Sequence, residues 1–214
     1  MAVSDPTYIY RITHIDNLEV YLQRVGLHAP NYCPENGLIY RAIHDIEVQS
    51  DRRIIEIPCG PEGQIQDYVS FYLGPRSPML LRLHTNRVEG YNEGQEPIIY
   101  LVSTVQKIAE SGSGFVFSDG HGLASFTEWF DNLNDLDQVD WEAVNATWWN
   151  DTPETPDRQR RKQAEFLIHR FCNWSLINEI AVLNQKMRAR VTDIMADYLP
   201  EFHRPVKVIK EWYY

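Results

Sequence analysis

The chain has 214 residues, of which 43% are hydrophobic and 23% are charged, and its formal net charge at pH 7 is −10. This length suits one well-packed domain, 1–214, and is short for two. The composition excludes a disordered protein, and the acidic balance speaks against a partner that is bound mainly through its phosphates. Any contact with a nucleic acid therefore has to come from local basic groups.

The sequence shows neither a targeting segment nor a membrane segment. Residues 1–7 lack the basic and apolar stretches of a secretory signal, and no apolar run approaches the ~20 residues of a membrane span. Three cysteines, Cys33, Cys59 and Cys172, are widely separated and never form a Cys-x-x-Cys pair. This usage argues against a disulfide framework and a thiolate zinc site. We therefore expect a cytoplasmic protein without a membrane partner.

The N-terminal part of the chain predicts a strand, a turn and a helix. Residues 8–12 have strand composition, and residues 18–25 carry apolar side chains at helical spacing. Thr13 and His14 fall between the two elements, where unpaired backbone N–H groups can receive an anionic or amide ligand. Residues 39–46 fit a strand or a helix equally well, and this alternative stays open.

The most distinctive stretch is Asp67-Tyr-Val-Ser-Phe-Tyr-Leu-Gly-Pro-Arg-Ser-Pro-Met79. Its aromatic and β-branched residues predict a strand that ends at Gly74-Pro75. Pro78 should bar a helix or a central strand from starting at once, and residues 80–83 should continue the sheet. A strand that stops abruptly presents its last side chains to open space. The candidate site residues here are Tyr72, Arg76 and Ser77.

The middle of the chain predicts further strands. Residues 98–103 form an apolar run typical of a buried strand, and residues 105–110 should form a short helix. A short strand at 115–117 should end in the turn Ser118-Asp-Gly-His-Gly122. His121 therefore lies where a strand meets a loop. A metal site at His121 is not indicated, because no second His or Cys stands at ligand spacing.

The segment from 127 to 157 is acidic, rich in tryptophan and followed by basic residues. It is either a surface insertion whose aromatic rings fold back on the core or a substrate-binding loop on whose rings exposed bases stack. The following cluster, residues 158–170, is either a solvated helix face or a local patch for nucleic acid. Both alternatives stay open.

The C-terminal part completes a mixed fold. A strand should start near Glu165, a second should cover 177–182, a helix should run from 184 to 199, and an edge strand should cover 206–209. Short strands with few helices predict an α+β domain built on two sheets.

Four segments together resemble one protein family. They are Tyr10-Arg-Ile-Thr-His14, Tyr68-Val-Ser-Phe-Tyr-Leu-Gly-Pro-Arg-Ser-Pro-Met79, Ser118-Asp-Gly-His121 and Lys162-Gln-Ala-Glu-Phe-Leu167. In order and spacing they resemble the DarT family, the DNA ADP-ribosyltransferase toxins of bacterial toxin–antitoxin pairs. Ser70 and Leu73 depart from the family pattern.

The resemblance implies an ADP-ribosyltransferase-like fold of two mostly antiparallel sheets with flanking helices. It implies NAD as co-substrate without a metal, single-stranded DNA as acceptor, and thymine or guanine as the modified base. It also implies a partner, an antitoxin whose macrodomain removes ADP-ribose. The alternatives are an ADP-ribosyltransferase acting on RNA or protein and a non-catalytic NAD-binding module.

The resemblance also implies residue roles. Glu165 would be the catalytic carboxylate, assisted by Arg52, with Arg53 as the alternative arginine. Contacts with NAD would come from Thr13, His14, Ile15, Arg52 and Tyr72. His121 would help to position the base of the acceptor. The residue patterns themselves add Arg76, at the end of a predicted strand, and Trp148 and Trp149, in the tryptophan-rich segment, as candidate contacts with the acceptor.

Overall fold

The structure is a computed structural model that describes residues 3–44 and 50–214. Its strands are β1 (Tyr8–His14), β2 (Gly26–His28), β3 (Tyr68–Tyr72), β4 (Ile98–Thr104), β5 (Phe115–Ser118), β6 (Trp129–Phe130), β7 (Glu165–His169), β8 (Phe171–Asn173), β9 (Glu179–Val182) and β10 (Val206–Val208). Its helices include α1 (Leu18–Gln23), α2 (Pro78–His84), α3 (Val105–Glu110), α4 (Trp141–Asn145), α5 (Arg158–Arg161) and α6 (Gln185–Ala196).

The strands form one large sheet and one small sheet. The large sheet has eight strands in the order β10-β9-β4-β1-β3-β7-β5-β6, and β2 pairs with β8 in the other. Strands β9 and β10 pair in parallel, whereas the remaining pairs are antiparallel. The predicted α+β fold of mostly antiparallel sheets with flanking helices is confirmed.

The large sheet is held by few backbone contacts between β1 and β3. Strand β1 pairs with β4 from Tyr8↔Thr104 to His14↔Ile98, and β3 pairs with β7 along its whole length. Between β1 and β3 the structure shows the single pair Tyr10↔Tyr72. Residues 11–14 and 68–71 therefore separate, and we call the gap between them the split. The Arg11 side chain bridges it by donating from Nη1 to the Ser70 carbonyl oxygen over 2.8 Å.

Burial explains why the predicted strands formed. All seven residues of β4 are buried, as expected of a strand that is covered on both faces. Side chains of Ile9, Phe71 and Phe166 enter one hydrophobic core, whereas Ile12 and Tyr100 belong to a second core on the opposite face of the sheet. The alternating pattern of the outer strands thus reflects the two faces of one sheet.

The prediction at Pro78 is wrong. Pro78 does not prevent a helix but begins α2, because a proline at the first helical position lacks only an N–H that would have no helical partner. The Ser77 hydroxyl caps the helix by accepting from the Leu80 N–H over 3.2 Å. The segment 80–83, predicted to continue the sheet, is therefore helical.

The other predicted helices are present at their expected places. The predicted helix 184–199 forms as α6, with the Asn184 side chain accepting from the Met187 N–H over 3.0 Å. Residues 39–43 have no regular secondary structure, and the end of the ambiguous segment 39–46 lies outside the described residues. In the part of the chain that the structure describes, no helix is long and apolar enough to cross a membrane.

Candidate active site

Glu165 is the first residue of β7 and lies directly opposite Tyr72, the last residue of β3. Directly opposed residues of antiparallel strands point to the same face. Ser70 stands two residues before Tyr72 and therefore shares this face. The Glu165 side chain is only 4% exposed. A carboxylate buried so deeply needs a charged or hydrogen-bonding partner.

That partner is Arg52, which precedes the strand motif by a short helical turn at 50–52. Arg52 binds both carboxylate oxygens of Glu165, from Nη1 to Oε1 over 2.9 Å and from Nη2 to Oε2 over 2.7 Å. Nη2 also donates to the Ser70 hydroxyl over 2.9 Å. Arg53, the alternative arginine, is exposed and donates to Gln66 instead. The structure therefore brings Arg52, and not Arg53, to Glu165.

The electrostatics of this pair keep Glu165 ionised. Burial alone would raise the pKa of Glu165, but the charge and hydrogen bonds of Arg52 outweigh burial and hold that pKa below its usual value. The Gly122 N–H adds a longer hydrogen bond to Oε1, at 3.3 Å. A Cβ at Gly122 would lie 3.0 Å from Ile65 and 3.2 Å from Trp129, so a side chain here would require these two residues to shift.

His121 lies beside the same carboxylate, at the turn after β5. Its backbone is fixed on both sides, because its N–H donates to the Arg160 carbonyl oxygen and its carbonyl oxygen accepts from the Thr127 hydroxyl. Burial lowers the pKa of the His121 imidazole, although the charge of Glu165 acts in the opposite direction. The ring is therefore neutral at pH 7.

His14 ends β1 on the other side of the split. Its Nδ1 accepts from the Asp16 N–H over 3.1 Å, which leaves the proton of a neutral ring on Nε2. Nε2 is buried and has no hydrogen-bond partner in the described residues. The Asp16 Oδ2 lies 3.2 Å from Nδ1, and the Glu93 Oε2 lies 3.6 Å from Nε2. A buried N–H donor without an acceptor indicates a place for a ligand oxygen.

The two neighbours of His14 do not offer free groups. The Thr13 hydroxyl is already bonded to Tyr21 and Asn17, at 3.1 and 3.0 Å. Ile15 is fully buried in the hydrophobic core, and its N–H donates to the Pro97 carbonyl oxygen over 2.9 Å. Internal hydrogen bonds and packing thus occupy the side chains of Thr13 and Ile15, and the contacts of these two residues with NAD stay a prediction.

Tyr72 borders Glu165 and is held neutral. Burial raises its pKa to about 12, and the negative charge of Glu165 acts in the same direction. The Tyr72 hydroxyl interacts with the Ser77 side chain and lies 3.8 Å from the Met79 sulfur. The Tyr72 ring therefore lies beside the Arg52–Glu165 pair with its hydroxyl already engaged.

The basic cluster that follows the tryptophan-rich segment is largely neutralised inside the protein. Arg160 binds Asp119 through both terminal nitrogens, each at 2.8 Å, and also binds Asp157. Arg161 pairs with Asp140 at 2.6 Å. Lys162 is buried and donates to main-chain carbonyl oxygens at the end of α4, including Ala146. For these three residues the interpretation as a free patch for nucleic acid is wrong.

The two tryptophans predicted to contact the acceptor have different environments. Trp148 is 81% exposed, so its ring is free to stack. Trp149 is buried, and its Nε1 donates to the Tyr214 hydroxyl over 3.0 Å. Trp149 thus folds back on the core, which corrects the predicted stacking role of this residue. Within residues 3–44 and 50–214, no three His, Cys, Asp or Glu side chains are grouped to hold a metal ion.

The environment of His14 predicts a pH effect on stability. Burial lowers the pKa of His14 to about 4, although the Asp16 carboxylate acts in the opposite direction. Between pH ~6.5 and pH 4, His14 is protonated in the unfolded chain but not in the folded protein. The free energy of unfolding therefore falls as pH falls. The free energy of unfolding can be measured by urea titration at pH 7 and at pH 5. Between these pH values we expect it to fall by about 1–2 kcal/mol less in His14→Gln than in the parent.

An equal loss in the parent and His14→Gln would show that His14 does not titrate in this window.

Comparisons with known proteins identify the family of this chain. The family described as "ssDNA thymidine ADP-ribosyltransferase, DarT" matches residues 10–214. A DNA ADP-ribosyl transferase of Thermus sp. (strain 2.9) is 43% identical over 211 residues, which cover 98% of this chain and 97% of that protein. A DNA ADP-ribosyl transferase of Escherichia coli O127:H6 is 35% identical over 185 residues, covering 86% of this chain and 83% of that protein.

Two solved structures of Thermus sp. 2.9 DarT share the fold. The complex with ADP-ribosylated ssDNA has a TM-score of 0.93 at 42% identity, covering 100% of this chain and 99% of that one. The complex with NAD+ has a TM-score of 0.89 at 40% identity, covering 100% of both chains. With this coverage and identity, the chain belongs to the DarT family and is an NAD-dependent DNA ADP-ribosyltransferase.

Proposed function

We propose that this protein is the toxin of a toxin–antitoxin pair and that it transfers ADP-ribose from NAD to thymine in single-stranded DNA. The observation that carries the proposal is the buried Arg52–Glu165 pair at the ends of β3 and β7, beside the split. The description of the family names thymidine in ssDNA as its target. We assign the activity to one domain, 1–214, acting in the cytoplasm.

The first chemical step needs an ionised carboxylate and no general acid. When the bond between nicotinamide and ribose breaks, the cationic leaving group takes the bonding electrons and departs neutral. The ribose carbon becomes an oxocarbenium-like cation, which a nearby negative charge stabilises. Glu165 supplies that charge because Arg52 keeps its pKa low. A protonated Glu165 would lose this role.

The split offers groups that fit the nicotinamide end of NAD. The His14 Nε2–H lacks an acceptor and suits a ribose hydroxyl or the carboxamide oxygen of nicotinamide. The neutral ring of Tyr72 can pack against the flat nicotinamide ring. We therefore assign the contacts with NAD to His14, Tyr72 and Arg52, and not to the side chains of Thr13 and Ile15.

The second step needs a base, because a nitrogen in the ring of thymine is a poor nucleophile until it loses its proton. Glu165 takes that proton as the nitrogen forms its bond to the ribose carbon, while Arg52 polarises the thymine carbonyl. His121, adjacent to the carboxylate, helps to position the base. A paired base inside a duplex cannot reach these groups, so the acceptor must be single-stranded or flipped out.

The proposal is tested with purified protein, NAD and four oligonucleotides that each present one base. We expect the thymine oligonucleotide to gain the mass of one ADP-ribose, with one nicotinamide released for each adduct. The same sequence as a duplex is the matched control and should react poorly. If only the guanine oligonucleotide were labelled, the modified base would be guanine and not thymine. If only RNA or protein were labelled, the proposed DNA acceptor would be wrong.

We further propose that the partner is an antitoxin with a macrodomain that removes ADP-ribose from DNA. The support is the resemblance to the DarT family, which implies an antitoxin that carries such a macrodomain. Growth of cells that produce the toxin should stop, and a macrodomain with DNA ADP-ribose hydrolase activity should restore it. Arrest that persists while the adduct is removed would contradict this partner.

A further inference from the structure

Arg76 is a cation without a counter-charge near the active site. It lies four residues after Tyr72 and adopts a positive φ of 56°, which a non-glycine residue adopts only under constraint. Among residues 3–44 and 50–214, no carboxylate forms an ion pair with its guanidinium. Its Nε is buried and has no hydrogen-bond partner there. Such a group is prepared for an anionic ligand.

Tyr214 holds this guanidinium in place. The Arg76 guanidinium carbon lies 4.6 Å from the centre of the Tyr214 ring, within the range of a cation–π contact. The Tyr214 hydroxyl donates to the main-chain oxygen of Arg76 over 2.8 Å and accepts from Trp149 Nε1 over 3.0 Å. The Gln95 side chain accepts from the Tyr214 N–H over 3.0 Å. One aromatic residue thus fixes both the backbone and the side chain of Arg76.

A second basic side chain, Lys162, lies within electrostatic range of Arg76. Lys162, three residues before Glu165, is buried, and its pKa falls to about 8 through burial and then through the charges of Arg76 and Arg158. Lys162 uses two of its three N–H groups on main-chain oxygens. Arg76 follows Tyr72 by four residues and Lys162 precedes Glu165 by three, and Tyr72 and Glu165 are directly opposed across β3 and β7. The two cations therefore lie on segments that leave the same end of this strand pair.

We infer that Arg76 binds a phosphodiester of the acceptor strand and that Tyr214 is the positioning residue that presents Arg76 to it. The inference rests on the proposed function and adds the contact that holds the strand beside Glu165. A guanidinium offers a planar fork of donors that matches a phosphate, and its fixed pose reduces the entropy lost on binding. The pyrophosphate of NAD is the other source of phosphate, and the experiment separates the two.

The experiment measures binding of a fluorescent single-stranded oligonucleotide by anisotropy, without NAD, at several salt concentrations. Arg76→Gln should weaken binding about 10-fold and reduce the slope of log K against log salt by about 0.7, the value of one phosphate on a single strand. Arg76→Lys should keep the slope and recover part of the affinity. The KM for NAD should change less than about 2-fold in both variants.

Tyr214 is tested by its dependence on Arg76. Tyr214→Leu removes the ring and should weaken oligonucleotide binding about 5-fold, whereas Tyr214→Phe keeps the ring and should weaken it about 2-fold. If Tyr214 acts through Arg76, the double variant should bind no worse than Arg76→Gln alone. Tyr213→Phe is the matched control, because its hydroxyl bonds to main-chain oxygens of β4 and β9. Its oligonucleotide affinity should equal that of the parent.

The outcomes separate the two proposals. An unchanged salt slope in Arg76→Gln, or a rise in the KM for NAD instead, overturns the phosphodiester contact. Fully additive losses in the double variant overturn the positioning role of Tyr214, and thermal unfolding curves exclude loss of the fold. If the parent binds the oligonucleotide through Arg76 but labels none, the proposed function fails while this inference stands.

Discussion

Glu165→Gln is expected to lower kcat/KM for DNA modification by about 10³-fold or more, the effect typical of removing a group that stabilises charge in the transition state. The amide keeps the shape of the carboxylate and one oxygen for Arg52 and Gly122, but it carries no negative charge and accepts no proton. Both proposed steps therefore lose their central group. The measurement is adduct formation at saturating NAD, with circular dichroism to check the fold.

The matched control is Glu179→Gln. Glu179 is also a glutamate on a strand of the large sheet, and it pairs with a lysine, Lys207, instead of a buried arginine. Its neutralisation should change kcat/KM by less than about 2-fold, because a surface ion pair contributes ~0–1 kcal/mol. If Glu165→Gln retained a tenth of the activity, Glu165 would not be the catalytic carboxylate.

The second large effect concerns Arg52 and has a pH signature. In the parent, Arg52 holds the pKa of Glu165 below its usual value. The stability that this pair contributes is full above the unfolded pKa of ~4.3 and is lost as pH falls through the lower folded pKa. In Arg52→Gln the carboxylate stays buried without its cation, so burial should raise the pKa of Glu165 instead.

We therefore expect Arg52→Gln to reduce kcat/KM about 100-fold at pH 7 and to move the acid limb of the pH–rate profile to higher pH. Part of the lost activity should return at pH 9. Arg53→Gln is the matched control, because Arg53 is the adjacent arginine, exposed and turned away from Glu165. It should keep the pH profile of the parent. Similar profiles for both variants would contradict the role of Arg52.

The sequence was sufficient to predict much of the secondary structure and the type of reaction. Strands β3, β4 and β7 follow from runs of aromatic and β-branched residues, whose preference for a pleated, buried surface is a local property. The placement of Glu165 and Tyr72 at strand ends follows from the same runs. The four resembling segments predicted a DNA ADP-ribosyltransferase using NAD, and the comparisons confirm this.

Local patterns misled where a residue has two structural uses. Pro78 marks a break in a strand pattern but also starts a helix, and only the Ser77 cap decides between them. Along the sequence, Arg160 and Arg161 indicated a basic surface. In the fold, the carboxylates of Asp119 and Asp140 pair with them. The sequence suggested that Trp149 stacks on a base, whereas in the fold its Nε1 donates a hydrogen bond to the Tyr214 hydroxyl.

The amino-acid sequence by itself was sufficient to predict the strands, the family and the acidic residue that we propose as catalytic, Glu165. The tertiary structure decided which arginine faces Glu165, because Arg52, in the helical turn at 50–52, and Glu165, on β7, lie 113 positions apart and meet only in the folded chain. It also revealed Ser70, Gly122 and Tyr214 as contacts of the site, although none of them has a chemical pattern that marks it. Charge pairing and burial depend on distance in space, which spacing along the chain does not encode.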